Sequence, residues 1–174
     1  KRLIGTEGGE VNFGRPWSTR PLAIKLHCRY TTSNIDIIGK KMPPGVTLTK
    51  ADHDRAQIKV ALGTWDYRTY GGSKDSPVHI NTTDASTFVD FSKDPCTIAN
   101  GDLIIHKDGY ILNGASMVDA STWEWAEYTI PLNYRDLETL PTHIIVSCAA
   151  SQYGDYFTGC SSSKLWIDAV ELIY

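Results

Sequence analysis

A chain of 174 residues, 41% hydrophobic and 21% charged, can bury a substantial core, and its composition excludes intrinsic disorder. A net charge of −3 argues against a general nucleic-acid binder, which needs a basic surface, and no apolar run reaches the length of about 18 residues that a membrane-spanning helix requires. The 14 Gly, 9 Tyr and 5 Trp, with 14 Asp against 6 Glu, favour strands joined by Asp/Gly turns over helices.

The chain opens KRLIGTEGGEVNFG, without an initiating Met or a charged-then-apolar leader. It therefore reads as a mature form or as a domain excised from a longer protein. In PLAIKLHCRY, Leu22, Ile24, Leu26, Cys28 and Tyr30 share one parity and Lys25, His27 and Arg29 the other. That alternation predicts a half-buried strand with a basic outer face. Residues 31–52, with Pro43-Pro44, read as a long loop. In QIKVALGTW, Ile58, Val60 and Leu62 take the core side, leaving Lys59, Ala61, Gly63 and Trp65 on the other. A second loop follows at 66–77.

Further strands are predicted at 78–81, 88–91, 103–106, 124–132, 143–150 and 164–174, with tight turns at Asn100-Gly101 and Asp108-Gly109 that suit positive φ angles. One short helical turn is predicted at 133–139. Strands recur without helical segments between them, so an antiparallel sandwich is favoured over βαβ architecture. Long loops on such a frame are where binding residues concentrate. The four cysteines, Cys28, Cys96, Cys148 and Cys160, form no CxxC. Cys28 and Cys148 lie on apolar parities, so buried free thiols are expected rather than bonds.

No catalytic motif stands out. Glycoside hydrolysis needs two converging carboxylates, but Glu124 and Glu127, three apart on a strand, point to opposite faces. Asp52 and Asp54 are expected to form turns rather than bind calcium. The nucleophile elbow, P-loop and dinucleotide fingerprint are all missing. Aromatic residues are more informative. Trp65, Tyr67 and Tyr70 gather around Arg68, and Tyr153, Tyr156 and Phe157 around Gly154 and Asp155. Flat rings beside Asp, Asn or Arg suit the apolar faces and hydroxyls of sugars.

Three stretches, NFGRPWSTRPLAIKLHCRYTT, EWAEYTIPLNYRDLETLPTHIIVSCAASQYGDYFTGCSSS and KLWIDAVELIY, resemble the "putative carbohydrate metabolism domain" (PCMD) family, found mostly in exported proteins of Bacteroidetes. The YxIPLxYR and SxYGDYFTG runs are its most specific part. The resemblance implies an all-β jelly-roll sandwich, similar to carbohydrate-binding modules and galactose-binding-like domains, forming one domain over 1–174. It also implies an extracytoplasmic location and a non-catalytic, glycan-binding role. Arg15, Arg20, Tyr134, Arg135, Tyr153, Gly154, Asp155 and Tyr156 match its motif, as a binding site or as an internal polar brace.

The expected ligand surface is thus drawn from Trp65, Tyr67, Arg68, Tyr70, Arg20, Arg135, Tyr153, Asp155 and Tyr156. No cofactor is expected beyond a structural calcium, for which Asp168 resembles the final-strand ligand of similar jelly rolls. The expected partners are an oligo- or polysaccharide and other domains of the same chain, with no nucleic acid and no membrane insertion. A structural or assembly domain is the competing reading, and a glycan-active enzyme the third.

Overall fold

Strand formation follows the alternation. In the computed structural model, which describes residues 8–174, β3 runs Ala23–Thr31 with Ile24, Leu26, Cys28 and Tyr30 buried and Lys25, His27 and Arg29 on the opposite, wetter face. The opening segment 1–7 lies outside the described residues. Strands dominate the rest: β1 (Glu10–Phe13), β2 (Arg15–Pro16), β4 (Ala56–Gly63), β5 (Val78–Asn81), β6 (Thr97–His106), β7 (Gly109–Leu112), β8 (Val118–Asp119), β9 (Ala126–Pro131), β10 (Asn133–Tyr134), β11 (His143–Ala149) and β12 (Lys164–Ile173). One four-residue helix, α1 (Tyr67–Tyr70), and 3-10 turns at Ala85–Thr87 and Gly154–Tyr156 complete the regular structure among the described residues.

The strands form three sheets: β1-β5, β12-β3-β9 and the order β2-β11-β4-β6-β7-β8, with β10 beside β6. The chain divides into two compact units that interleave along the sequence. Unit one takes residues up to Thr19, then Ala61–Ala99 and Tyr134–Ile145; unit two takes Arg20–Val60, Asn100–Asn133 and Val146–Tyr174. Strands β4, β6 and β11 each run from one unit into the other.

Unit two is an antiparallel β-sandwich. The apolar parity of β3, together with Tyr128 and Ile130 of β9, is buried with Ile58 and Val60 of β4 and Leu103 and Ile105 of β6. Tyr110 of β7 meets Tyr128 of β9 edge-to-face at 5.1 Å between ring centres. Each of these fully buried aliphatic side chains contributes roughly 1.5–3 kcal/mol of transfer free energy. Unit one has a smaller core, in which Ala61, Trp65, Val78 and Ile145 are buried against Phe13, Ile80 and Phe91.

Several local expectations are corrected. Asn100-Gly101 does not turn: it lies inside β6, where a Cβ on Gly101 would meet Pro131 O at 2.8 Å, so the missing side chain admits β9. Asp108-Gly109 is similar. The two-residue loop is Lys107-Asp108, closed by the His106–Gly109 pair, and Gly109 is small because β8 runs over it. Between β7 and β8, positive φ angles occur at Asn113 (49°) and Gly114 (71°).

Residues 88–91 are not a strand, because Asp90 Oδ1 accepts from the Ser92 amide (3.0 Å) and hydroxyl (2.6 Å), a local alternative to ladder pairing. The helical turn predicted at 133–139 is β10 followed by a turn in which Asp136 Oδ1 accepts from the amides of Glu138 (2.8 Å) and Thr139 (3.0 Å). Cys28 is buried, and that burial pushes its thiol up to about 12; Cys148, expected inside, is exposed.

Candidate functional site

The site is built where β4 leaves the core of unit one. Asp66 caps the helix that follows, accepting from the Arg68 amide at 2.9 Å, and Gly71 ends it in the left-handed conformation. This single turn carries Tyr70 to the wall of an open cleft of about 570 Å³. His79 of β5 and the loop 86–94 supply the rest of the lining, chiefly Phe88, Asp90, Lys93 and Asp94. Apolar rings, hydroxyls and both signs of charge thus share one concave surface, as small-molecule sites require.

Asp94 organises this wall. Its Oδ1 accepts from the Tyr70 hydroxyl at 2.6 Å, and its Oδ2 accepts from Trp65 Nε1 at 2.9 Å, the Cys96 amide at 3.2 Å and the Thr97 hydroxyl at 3.2 Å. Burial, joined by hydrogen bonding to Asp94 and Cys96, pushes the Tyr70 phenol far above its ordinary range, so it stays protonated and donating. Desolvation opposes ionisation of Asp90, but the Ser92 hydroxyl, Lys93 and the Ser92 amide outweigh it and hold that carboxyl below its usual value. Lys93 Nζ lies 3.2 Å from Asp90 Oδ2. His79 is oriented by Asn12 of β1, whose side-chain oxygen is 2.8 Å from Nδ1.

The residues expected to bind ligand fall into distinct places. Trp65 is corrected from platform to core: only 2% of it is exposed, with Phe91 edge-on at 5.6 Å. The parity argument that put its ring outside holds for β4 up to Val60. It fails beyond, because Ala61 and Trp65 face the separate core of unit one. Tyr67 is exposed, with Arg68 stacked 5.5 Å over its ring. Tyr70 alone of that cluster's aromatics lines the cleft.

Arg135 braces the cleft from behind. Its Nη1 donates to Ser92 O (3.2 Å), and its Nη2 to the carbonyls of Phe91 (3.2 Å), Asp94 (2.9 Å) and Thr97 (2.8 Å). Arg20 is half-buried ahead of β3 and does not line the cleft.

The second aromatic cluster belongs to unit two. Tyr153 and Tyr156 are half-buried and Asp155 exposed, around a 3-10 turn in which Tyr153 O accepts from the amides of Tyr156 and Thr158, each at 3.0 Å. The neighbouring recess, about 230 Å³, is lined by Ile37, Ser151, Gly154, Phe157, Thr158 and Ser161 among others, and by neither tyrosine.

What fixes this loop is Asp54, which the sequence assigned to a turn but which is only 4% exposed. Its oxygens accept from the Arg55 amide (2.8 Å), Ser151 Oγ (2.5 Å), the Cys160 amide (2.8 Å) and Ser163 Oγ (2.9 Å). Asp52 does form a turn, accepting from the Thr49 amide (2.7 Å) and hydroxyl (2.9 Å).

Asp168 lies on β12. It is exposed beside a β-bulge, its Oδ1 takes the Ala169 amide at 2.8 Å, and among the described residues no three His, Cys, Asp or Glu side chains converge on a metal-sized site. Glu127 is an exposed strand charge near Lys25 and His27.

Sequence reasoning missed His79, Phe88, Asp90, Lys93 and Asp94. The one available signal was the DFSKDP run, whose closely spaced Asp and Ser form hydrogen-bonded turns rather than the strand assigned to it.

Comparison with known proteins fits this architecture. The "putative carbohydrate metabolism domain" family matches residues 1–173. A solved structure described as a putative glycoside hydrolase from Bacteroides thetaiotaomicron is similar over 94% of this chain and 41% of its own, at 18% identity and a TM-score of 0.58. A second, described in the same words and from Bacteroides vulgatus, is similar over 93% of this chain and 55% of its own, at 17% identity and a TM-score of 0.56. The chain therefore spans about half or less of the length of these two structures, and at such identity the likeness speaks to fold. No curated protein sequence matches it. The chain belongs to the carbohydrate metabolism domain family.

Proposed function

We propose that this family member is a non-catalytic glycan-binding module, with the cleft of unit one as its sugar-contacting surface. The observation that carries the reading is the cleft itself. Tyr70 and Phe88 offer ring faces beside the polar groups of His79, Asp90, Lys93 and Asp94 in one open concavity. A pyranose presents C–H faces and hydroxyls together, and such a surface answers both.

Binding is favoured over turnover by what the two carboxylates already do. Asp94 takes hydrogen bonds from its own loop and from Trp65 and Tyr70, and Asp90 from Ser92 and Lys93. A general acid needs a raised pKa and a proton to give; Asp90 is shifted the other way. An extracytoplasmic setting, where polysaccharides are met, belongs to the same reading.

The test is calorimetry of the intact protein against neutral and acidic oligosaccharides, with reducing-end release measured in parallel. Binding that His79→Ala and Tyr70→Ala weaken by about tenfold or more, as expected of contact residues, with no sugar released, supports the module. Steady release of reducing ends would replace it with an enzyme. Absence of binding by the folded protein across the set would remove it.

A further inference from the structure

Three of the chain's five tryptophans lie at the surface of unit two: Trp123 (49% exposed), Trp125 (51%) and Trp166 (38%). Indoles are usually withdrawn from water, and several left exposed together mark a contact surface. Their placement follows from strand parity in the sheet β12-β3-β9. The inner parity of β3 and β9 (Leu26, Cys28, Tyr128, Ile130) is buried, so the outer parity carries Lys25, His27 and Arg29 on β3 and Glu127 on β9. Trp166 of β12 is the ladder partner of Arg29, whose guanidinium lies 5.1 Å from the ring centre. Trp125 precedes β9 by one residue and shares the outward parity of Glu127.

The tryptophan segment is held at both ends. The Tyr30 amide donates to Thr122 O at 2.8 Å, and the Thr122 hydroxyl, 1% exposed as a residue, donates to His106 O at 2.6 Å. Four residues later Ala126 enters the ladder opposite Cys28. The exposed rings therefore sit on an anchored segment.

Arg29 differs from its neighbours on the same face. Lys25 Nζ is 3.0 Å from Glu171 and 4.0 Å from Glu127, and His27 Nε2 is 3.6 Å from Glu127. Arg29 has no carboxylate partner among the described residues, and its Nε is buried without a hydrogen bond. A guanidinium whose Nη donors make no hydrogen bond among the described residues, stacked on an exposed indole, is complementary to a ligand rich in oxygen acceptors and able to stack.

We propose that this outer sheet face is a second glycan-binding surface, on which a pyranose chain stacks on Trp125 and Trp166 and hydrogen-bonds to Arg29. A protein partner suits it less well: Trp and Arg are common in protein interfaces, but Lys and Glu are depleted from them, and the tryptophans here adjoin the pairs of Lys25 with Glu127 and Glu171. The surface shares no residue with the cleft, so either can fail without the other.

The probes are cellohexaose, xylohexaose, mannohexaose and hexagalacturonate, added to the intact protein. The readouts are tryptophan fluorescence and protection of the indoles from N-bromosuccinimide. The expected result is that at least one probe protects the exposed tryptophans, and that Trp166→Ala or Trp125→Ala weakens its binding about tenfold or more. Arg29→Gln is expected to weaken it in the same direction. Arg29→Lys, which keeps the charge but loses the planar donors, gives an independent arm should a tryptophan variant misfold. The proposal is overturned if every probe leaves the three exposed indoles as reactive as in buffer, or if folded Trp166→Ala, Trp125→Ala and Arg29→Gln proteins all keep wild-type affinity.

Discussion

Asp54 in unit two and Asp94 in unit one solve the same problem in opposite ways. Each carboxylate gathers four hydrogen bonds from segments far apart in the chain as well as from near neighbours. The donors to Asp54 are two amides and two serine hydroxyls, small groups that let the loop close over it. Two of the donors to Asp94 are aromatic, Trp65 Nε1 and the Tyr70 hydroxyl, and they tie it to the core of unit one and to the wall of the cleft. One carboxylate closes a surface and the other holds a cleft open.

The largest expected effect tests the closed side. Asp54→Ala strands four donors around a buried gap and is expected to cost about 4 kcal/mol, read as a lowered urea midpoint. Binding in the cleft should survive wherever the protein remains folded. A loss below about 1 kcal/mol would show that water replaces the carboxylate, and that the loop is not braced as described.

Arg135→Ala probes the back of the cleft. Its four carbonyl contacts are partly exposed, so a cost of about 1–2 kcal/mol is expected, together with weakened cleft binding as the 91–97 loop relaxes. Tyr70→Phe is milder, about 1 kcal/mol, because the ring remains and only the hydrogen bond to Asp94 is lost. Near-wild-type stability in both variants would mean that the cleft wall does not depend on its polar frame.

The smallest effect is a pH dependence that separates the two units. His106, in unit two, has its pKa lowered from 6.5, first by desolvation and then by Arg55, and its Nε2 is buried without a partner. Because its folded pKa is depressed, the folded state favours the neutral ring. The stability this provides is complete above about pH 6.5 and is lost as pH falls toward the depressed folded value. Asp90 in the cleft is also depressed, but from 3.8. Its contribution is therefore complete above that value and fades only in stronger acid. Melting between pH 7 and 5 should fall in the native protein and fall less in His106→Gln, while Asp90→Asn leaves that slope unchanged.

Much of the frame was legible because one physical rule generated it. Strand β3 emerged with the predicted parity, since alternating apolar side chains leave only one way to bury them, and the bounds of β5, β11 and β12 lie within a residue of those predicted. The turns were less legible. Asn100-Gly101 and Asp108-Gly109 looked like mirror-image turns because glycine permits positive φ, yet both glycines serve close approach of a neighbouring strand. Sequence cannot distinguish those two uses of a missing Cβ. The 65–70 cluster did mark the cleft's neighbourhood. Of its rings Tyr70 lines the cleft, whereas Trp65 is buried because it follows a strand whose two ends meet different cores.

The sequence by itself determined an antiparallel β-sandwich, the basic outer face of β3 and the family, because parity and short motifs are local properties of the chain. The tertiary structure decided which aromatic residues meet water. It buried Trp65 against Val78 and Ile145, left Trp123, Trp125 and Trp166 outside, and gave Asp54 and Asp94 partners as far as 109 residues away. Exposure is set by which surfaces pack together after the chain has crossed itself, and no local pattern records that.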